Sequence, residues 1–285
     1  MKKQTPANKL VLLVLVIIVL FFIYAPVAWL VSSSLSSRAQ LLAVPPEFIP
    51  SPLTFKNYID ILIPGQANSE VSRTFLLTVR NSFIVASITT VICLIVGSLA
   101  GYALSRIKLK FRNVTLMGIL SVRMIPEISL VIPLYIAAAQ LNLLNKPIVL
   151  ILTYLSFALP FAIWMITSFF DSIPYELEDA ARIDGASRLR TLISVILPIS
   201  SPGLISTGLF IFLLAWDEFF FALIFTSTTL SKTAPVAIAE FTGRYAVDIT
   251  AMMAAGVIAA LPPVILALVF QRYIVSGLSA GAVKG

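Results

Sequence analysis

The sequence predicts an all-α membrane protein of six transmembrane helices, a single transmembrane domain over residues 1–285. Composition is the first reason: 59% of the residues are hydrophobic and only 12% charged, with a mean hydropathy of +1.00. A water-soluble chain of this length could not hide that much apolar surface in its core. Distribution is the second, because the apolar residues gather into six runs near the roughly 20 residues that one helical crossing needs.

The first run, about 10–31, follows Met1-Lys2-Lys3. Its far end carries Phe21, Phe22, Tyr24 and Trp29 instead of the small residues of a cleavage site, so a retained anchor is expected. Further runs fall at about 82–104, 114–139, 147–170, 199–225 and 250–271. Each is expected to be helical, since a backbone in lipid must satisfy its own hydrogen bonds. Pro126, Pro133, Pro160 and the Pro262-Pro263 pair are expected to interrupt these helices. Gly97 and Gly101, four apart, allow close approach of a neighbouring helix, with packing inside the chain as the simplest use. Cys93 lies within an apolar run and is expected to pack there.

Positive charge sets the direction. Lys2, Lys3 and Lys9, then Arg106, Lys108, Lys110 and Arg112, then Arg182, Arg188 and Arg190, then Arg272 and Lys284 fall on alternate connections. Those connections, and both termini, are expected to be cytoplasmic. On the other side, the segment 32–77 with Pro45, Pro46, Pro50 and Pro52 is expected to lie over the outer mouth. The segment 226–248 is either a plain surface loop or dips into that mouth through Ala234–Phe241.

The 20 Lys and Arg against 13 Asp and Glu are scattered among loops without aromatic interleaving. That pattern argues for a lipid bilayer and against nucleic acid as a partner. With one cysteine and no histidine, an intrachain disulfide, a Cys/His metal site and histidine acid–base chemistry are excluded. No catalytic residue, metal ligand or cofactor site is expected in this chain.

One polar segment breaks the apolar pattern: Glu176-Leu177-Glu178-Asp179-Ala180-Ala181-Arg182-Ile183-Asp184-Gly185, followed by Val195-Ile196-Leu197-Pro198. Ser172 is expected to cap a helix with Pro174 in its first turn, and the three acids favour the positive end of its dipole. Leu177, Ala180, Ala181 and Asp184 fall at helical spacing and give a narrow face, which Gly185 ends by permitting a sharp turn. A second helix is expected from about Ser187 toward Pro198. Residues 172–198 would then form a projecting helix–turn–helix whose small face enters a groove on a partner while its acids meet basic groups there. An acidic segment suits an anionic membrane surface poorly, which favours a protein partner.

In spacing, this segment resembles the cytoplasmic coupling loop of ATP-binding-cassette (ABC) importer permeases, with Asp179 where Glu is usual and Val195 where Ile is usual. Trp216-Asp217-Glu218-Phe219 and the run Ala280-Gly281-Ala282-Val283-Lys284-Gly285 are similar to the maltose/trehalose-type carbohydrate permeases, binding-protein-dependent inner-membrane components; Asp217 stands where Asn is common. The likeness runs from about residue 75 onward.

The resemblance implies a type I importer permease with a core over 75–271 and a cytoplasmic tail over 272–285. It implies a second, homologous permease subunit (a heterodimer), two ABC ATPase subunits, an extracytoplasmic solute-binding protein, and a sugar, an oligosaccharide or related glycoside, as cargo, in the bacterial cytoplasmic (inner) membrane. ATP and Mg would be bound by the partner ATPases, since no Gly-x-x-x-x-Gly-Lys-Ser/Thr loop occurs here. Coupling to the ATPases would fall to Glu178, Asp179, Ala180, Ala181, Asp184, Gly185, Leu197 and Pro198. Ser279, Gly281 and Lys284 would make a second ATPase contact, the alternative being a disordered tail.

Arg123, Glu127, Trp216, Asp217 and Glu218 are the polar or aromatic residues at membrane depth expected to serve the pathway or its gating. Arg123 and Glu127, four apart, would share a helical face and pair; alternatively Arg123 pairs with Asp217 or Glu218. The acid–aromatic cluster could contact sugar, but a structural or gating role is favoured. An ion-coupled secondary transporter would need a self-contained pathway, usually built from internal repeats, and none is visible. An intramembrane hydrolase would need a nucleophile–base constellation, which is missing too.

Overall fold

The computed structural model describes residues 6–45, 47–63, 70–242 and 248–282, and its elements are helices. In chain order they are α1 (Pro6–Ser34), α2 (Arg38–Leu41), α3 (Lys56–Leu62), α4 (Glu70–Arg106), α5 (Arg112–Ser121), α6 (Glu127–Gln140), α7 (Pro147–Asp171), α8 (Tyr175–Ile183), α9 (Arg188–Thr191), α10 (Leu197–Ile199), α11 (Ser201–Trp216), α12 (Phe220–Phe225), α13 (Ala234–Glu240) and α14 (Ile249–Ala282). A 3-10 turn, Val122–Met124, follows α5, and a π-helix, Leu192–Ile196, joins α9 to α10.

The chain forms two units. One holds residues 1–76 and 237–261. In it α1 stands with its apolar surface open along its length, 0% of the crossing window being buried against protein. Its end is tied to the next connection: Asn57 Nδ2 donates to the carbonyls of Ser34 at 2.8 Å and Ser36 at 3.0 Å. The segment 32–63 makes two short helices and no crossing, as its prolines predict.

The other unit holds residues 77–236 and 262–285. Its core is built on α7, where Leu150, Tyr154, Ala158, Ala162 and Ile166 are fully buried along one side. Trp216, Phe221 and Phe225 from α11 and α12 join Leu150 and Tyr154 in one cluster. Gly97 and Gly101 let α4 approach α7 closely. A Cβ on Gly97 would come within 3.0 Å of Ile166 Cδ1, and one on Gly101 within 3.2 Å of the Thr167 backbone nitrogen. Cys93 is fully buried beside Ala158, Ala162 and Ile211.

Four helices are long and apolar enough to cross a membrane alone, and six crossings are reached when each of two bent pairs counts as one span. The expected third span, 114–139, is not one helix: residues 112–124 and 127–140 meet at 85°. The cause is Pro126. It turns Ile125 to φ −72°, ψ 123°, since the ring of a proline disfavours helical geometry in the residue before it.

The expected fifth span, 199–225, is divided as well. Residues 188–199 meet α11 at 80° across Ser200, where Pro198 and Pro202 both withhold an amide from the ladder. Past Trp216 the helix ends, and it re-forms only at Phe220. Pro133, Pro160, Pro262 and Pro263, by contrast, sit inside continuous helices.

Residues 234–241 are no plain surface loop. Ala234–Glu240 form α13, Ala234 and Val236 within it and Phe241 just after it are buried, and the Ala234 amide donates to Ser82 Oγ at 2.8 Å. At the other end, α14 continues as helix to Ala282, beyond the expected end of the span at 271.

Candidate coupling site and its support

Ser172 does not cap the helix of the polar segment. It closes α7 instead, donating from Oγ to the Phe169 carbonyl at 2.7 Å. Pro174, extended at ψ 139°, turns the chain, and α8 starts at Tyr175. Its far end takes the form expected of Gly185. That residue has φ +82°, the Gly185 amide reaches the Arg182 carbonyl at 3.0 Å, and the Ala186 amide reaches the Ala181 carbonyl at 3.0 Å. These paired bonds are a Schellman closure, which needs a left-handed residue at this place. Ser187 Oγ then accepts from the Arg190 amide at 3.4 Å and opens the second helical stretch.

Two faces of α8 have opposite characters. Leu177, Asp179, Ala180 and Asp184 are exposed and Ala181 half-buried, so the narrow face is open. Ile183, 86% exposed, adds an apolar side chain beside it. Glu178 is the exception among the expected docking residues: it is only 7% exposed and faces its own chain.

The Glu178 carboxylate is held by the end of α4. Tyr102 donates its hydroxyl to Oε1 at 2.6 Å, and Arg106 Nε stands 3.2 Å from Oε2. Arg106 also donates through Nη2 to the Ile173 carbonyl at 2.9 Å, and its guanidinium lies over the Tyr175 ring at 4.4 Å. Tyr175 in turn donates to the Ser105 carbonyl at 2.9 Å. Nearby, Arg112 pairs with Asp171 and donates through Nε to the Leu104 carbonyl at 2.7 Å.

A carboxylate this buried is tolerable only because a charge and a hydroxyl meet it. The second stretch is anchored by apolar contact, with Leu192 and Ile196 in a cluster with Tyr102, Ile166, Phe170 and Ile173. Leu197 packs against that cluster, while Pro198 is exposed. α8 is thus joined to α4 through an ion pair and a hydrogen bond to the Glu178 carboxylate, and the stretch that follows it is joined to α7 through packing.

In the sequence Tyr102 and Tyr175 carry no assigned role, and Arg106 enters only as one of the positive charges that set direction. The signal was present: Tyr102 and Arg106 are one turn apart at the polar end of an apolar run, and Tyr175 and Glu178 one turn apart on α8.

The membrane-depth residues are not brought together as expected. The break at Pro126 separates Arg123 from Glu127, and among the described residues Arg123 pairs with neither Glu127, Asp217 nor Glu218. Its guanidinium lies 5.4 Å from the centre of the Phe161 ring. Trp216 is 3% exposed and stacked on Phe212 at 5.7 Å, leaving no ring face free for a sugar. Glu218 caps α12, accepting from the Phe221 and Ala222 amides at 2.8 and 3.1 Å. Asp217 is exposed where α11 ends. Of the expected tail contacts, Ser279 and Gly281 fall where only the helix backbone is described, and Lys284 lies outside the described residues.

Residues 71–280 match the family described as binding-protein-dependent transport system inner membrane component. The chain is 39% identical over 289 residues to the trehalose/maltose transport system permease protein MalG of Thermococcus litoralis, covering 99% of each chain. It is 39% identical over 260 residues to the sulfoquinovosyl glycerol transport system permease protein SmoH of Agrobacterium fabrum, covering 91% of this chain and 88% of that one. Its fold is similar to a chain of a bacterial ABC transporter involved in import of the acidic polysaccharide alginate, with a TM-score of 0.77 at 24% identity, covering 96% of this chain and 99% of that one.

Proposed function

We propose, since this chain belongs to the family of binding-protein-dependent transport system inner membrane components, that it is the permease subunit of an ATP-driven ABC importer moving an oligosaccharide or related glycoside. The observation that carries the reading is the two-sided character of α8: a small, open outer face, and an inner face fixed to α4 through Glu178. The sugar class rests on the relatives, whose names are those of trehalose/maltose and sulfoquinovosyl glycerol permeases.

In this reading Asp179, Ala180, Ala181, Asp184 and Gly185 meet a partner ATPase. Glu178 and Leu197 hold the docking element to the membrane helices, and Pro198 redirects the chain into them. Two ATPase subunits bind ATP and Mg and perform the bond chemistry. A homologous second permease completes the pathway, and an extracytoplasmic binding protein delivers the sugar. Ser279, Gly281 and Lys284 make a further ATPase contact, and Arg123, Glu127, Asp217 and Glu218 serve gating. Both termini lie in the cytoplasm.

Direction is tested by labelling. In a Cys93→Ala background, Ser187→Cys is expected to react with a membrane-impermeant maleimide only from the cytoplasmic side, and Ser51→Cys only from outside. Both positions are exposed. Reversed labelling would overturn the assignment of α8 to an ATPase.

A further inference from the structure

Beside the support of α8 lies an open cavity of about 500 Å³, lined by Arg106, Lys108, Lys110 and Arg112 together with apolar residues that include Leu104 and Leu109. Four cations meet here. Two are matched by carboxylates, Arg106 by Glu178 and Arg112 by Asp171. Lys108 and Lys110 have no anionic partner among the described residues, and Lys110 Nζ lies instead over the Phe111 ring at 5.5 Å. Four cations less two anions leave an excess of two positive charges on one cavity. Arg106, with 3% of its side chain exposed, lines the cavity, and its buried Nη1 has no hydrogen-bond partner among the described residues.

The geometry points to a binding site for a phosphate group, that of an anionic phospholipid headgroup at the inner leaflet. The charge excess matches a phosphate, and Lys108 and Lys110 are the cavity's cations without a carboxylate partner among the described residues. The lipid source is favoured by position: the cavity lies where α4 gives way to α5, at the end of a membrane-crossing helix. Its apolar wall can follow the first carbons of an acyl chain. Basic pockets at such helix ends collect acidic headgroups, with each lysine near the surface strengthening binding severalfold. Because Arg106 also holds Glu178, a headgroup here would add anionic contact to the residue that supports α8.

The inference rests on the cytoplasmic placement of this loop proposed above. It is tested on the purified complex by native mass spectrometry after incubation with phosphatidylglycerol or phosphatidylcholine. Phosphatidylglycerol is expected to be retained in preference, about 25-fold more weakly by Lys108→Gln/Lys110→Gln, about fivefold for each lysine removed. Lys108→Arg/Lys110→Arg is expected to restore retention. Persistence in excess inorganic phosphate assigns the site to lipid, whereas displacement by inorganic phosphate assigns it to a soluble phosphate. Equal retention of the two lipids, or a Gln variant indistinguishable from wild type, would overturn the site. Retention is read without transport, so its failure alongside cytoplasmic labelling of Ser187→Cys would refute the cavity and leave the topology standing.

Discussion

Glu178→Ala is expected to reduce sugar uptake by more than tenfold while the bundle around α7 and α11 stays folded. The change removes the partner of a buried guanidinium, since Arg106 is 3% exposed and has no other carboxylate within ion-pair distance among the described residues. Breaking a buried pair from one side costs on the order of 3–5 kcal/mol, because a charge is left without compensation. That is enough to release a nine-residue helix whose other inward contact of this kind is the Tyr175 hydroxyl on Ser105. Replacing both partners, Arg106→Met with Glu178→Leu, removes the orphaned charge and should recover part of the loss. Hydrogen exchange over residues 175–185, measured with uptake, checks both effects. Protection equal to wild type in Glu178→Ala would show that the pair does not hold α8 in place, and additive losses in the double variant would show that the two residues do not act together.

Gly185→Val is the second large change, and it acts on geometry. Gly185 sits at φ +82°, where a side chain is disfavoured by about 1–2 kcal/mol and a β-branched one by more. No heavy atom lies within 4 Å of where its Cβ would be, so strain and not a clash sets the effect. The Schellman closure should open, and the exposed face of α8 should lose its fixed end. Asp179→Lys leaves the backbone intact and reverses the charge on that face. Both variants are expected to keep the membrane helices folded and to lose binding-protein-stimulated ATPase activity, or the ATPase itself. Purification with partners, followed by subunit retention and stimulated ATPase assays, separates these outcomes. Wild-type values for both variants would refute docking through this face.

Sequence and structure agree best where one physical signal dominates. The first, second, fourth and sixth apolar runs are legible because they are long and continuous, and α1, α4, α7 and α14 contain them. Hydropathy cannot register direction, however. The third run holds enough apolar residues to cross, yet the backbone restriction imposed by Pro126 bends it; in the fifth, the turn at Ser200 falls at the start of the run and the break inside it comes after Trp216.

The docking segment divides along the same line. Gly185 and Ser187 act locally and behave as their types predict. Glu178 was grouped with the exposed acids because composition alone makes a carboxylate solvent-facing; its burial depends on Tyr102 and Arg106, more than seventy positions earlier in the chain. Trp216, beside two acids, left sugar contact open as the less favoured role; its ring is stacked on Phe212, one turn earlier, a neighbour that residue types alone do not reveal.

The most direct measurement is uptake by the complete complex reconstituted in proteoliposomes, with ATP inside and a glycoside-loaded binding protein outside. Accumulation is expected to require ATP, the binding protein and this subunit together, and to fall with Glu178→Ala while the variant complex remains assembled. Uptake driven by an imposed proton or sodium gradient, without ATP or the binding protein, would contradict that expectation.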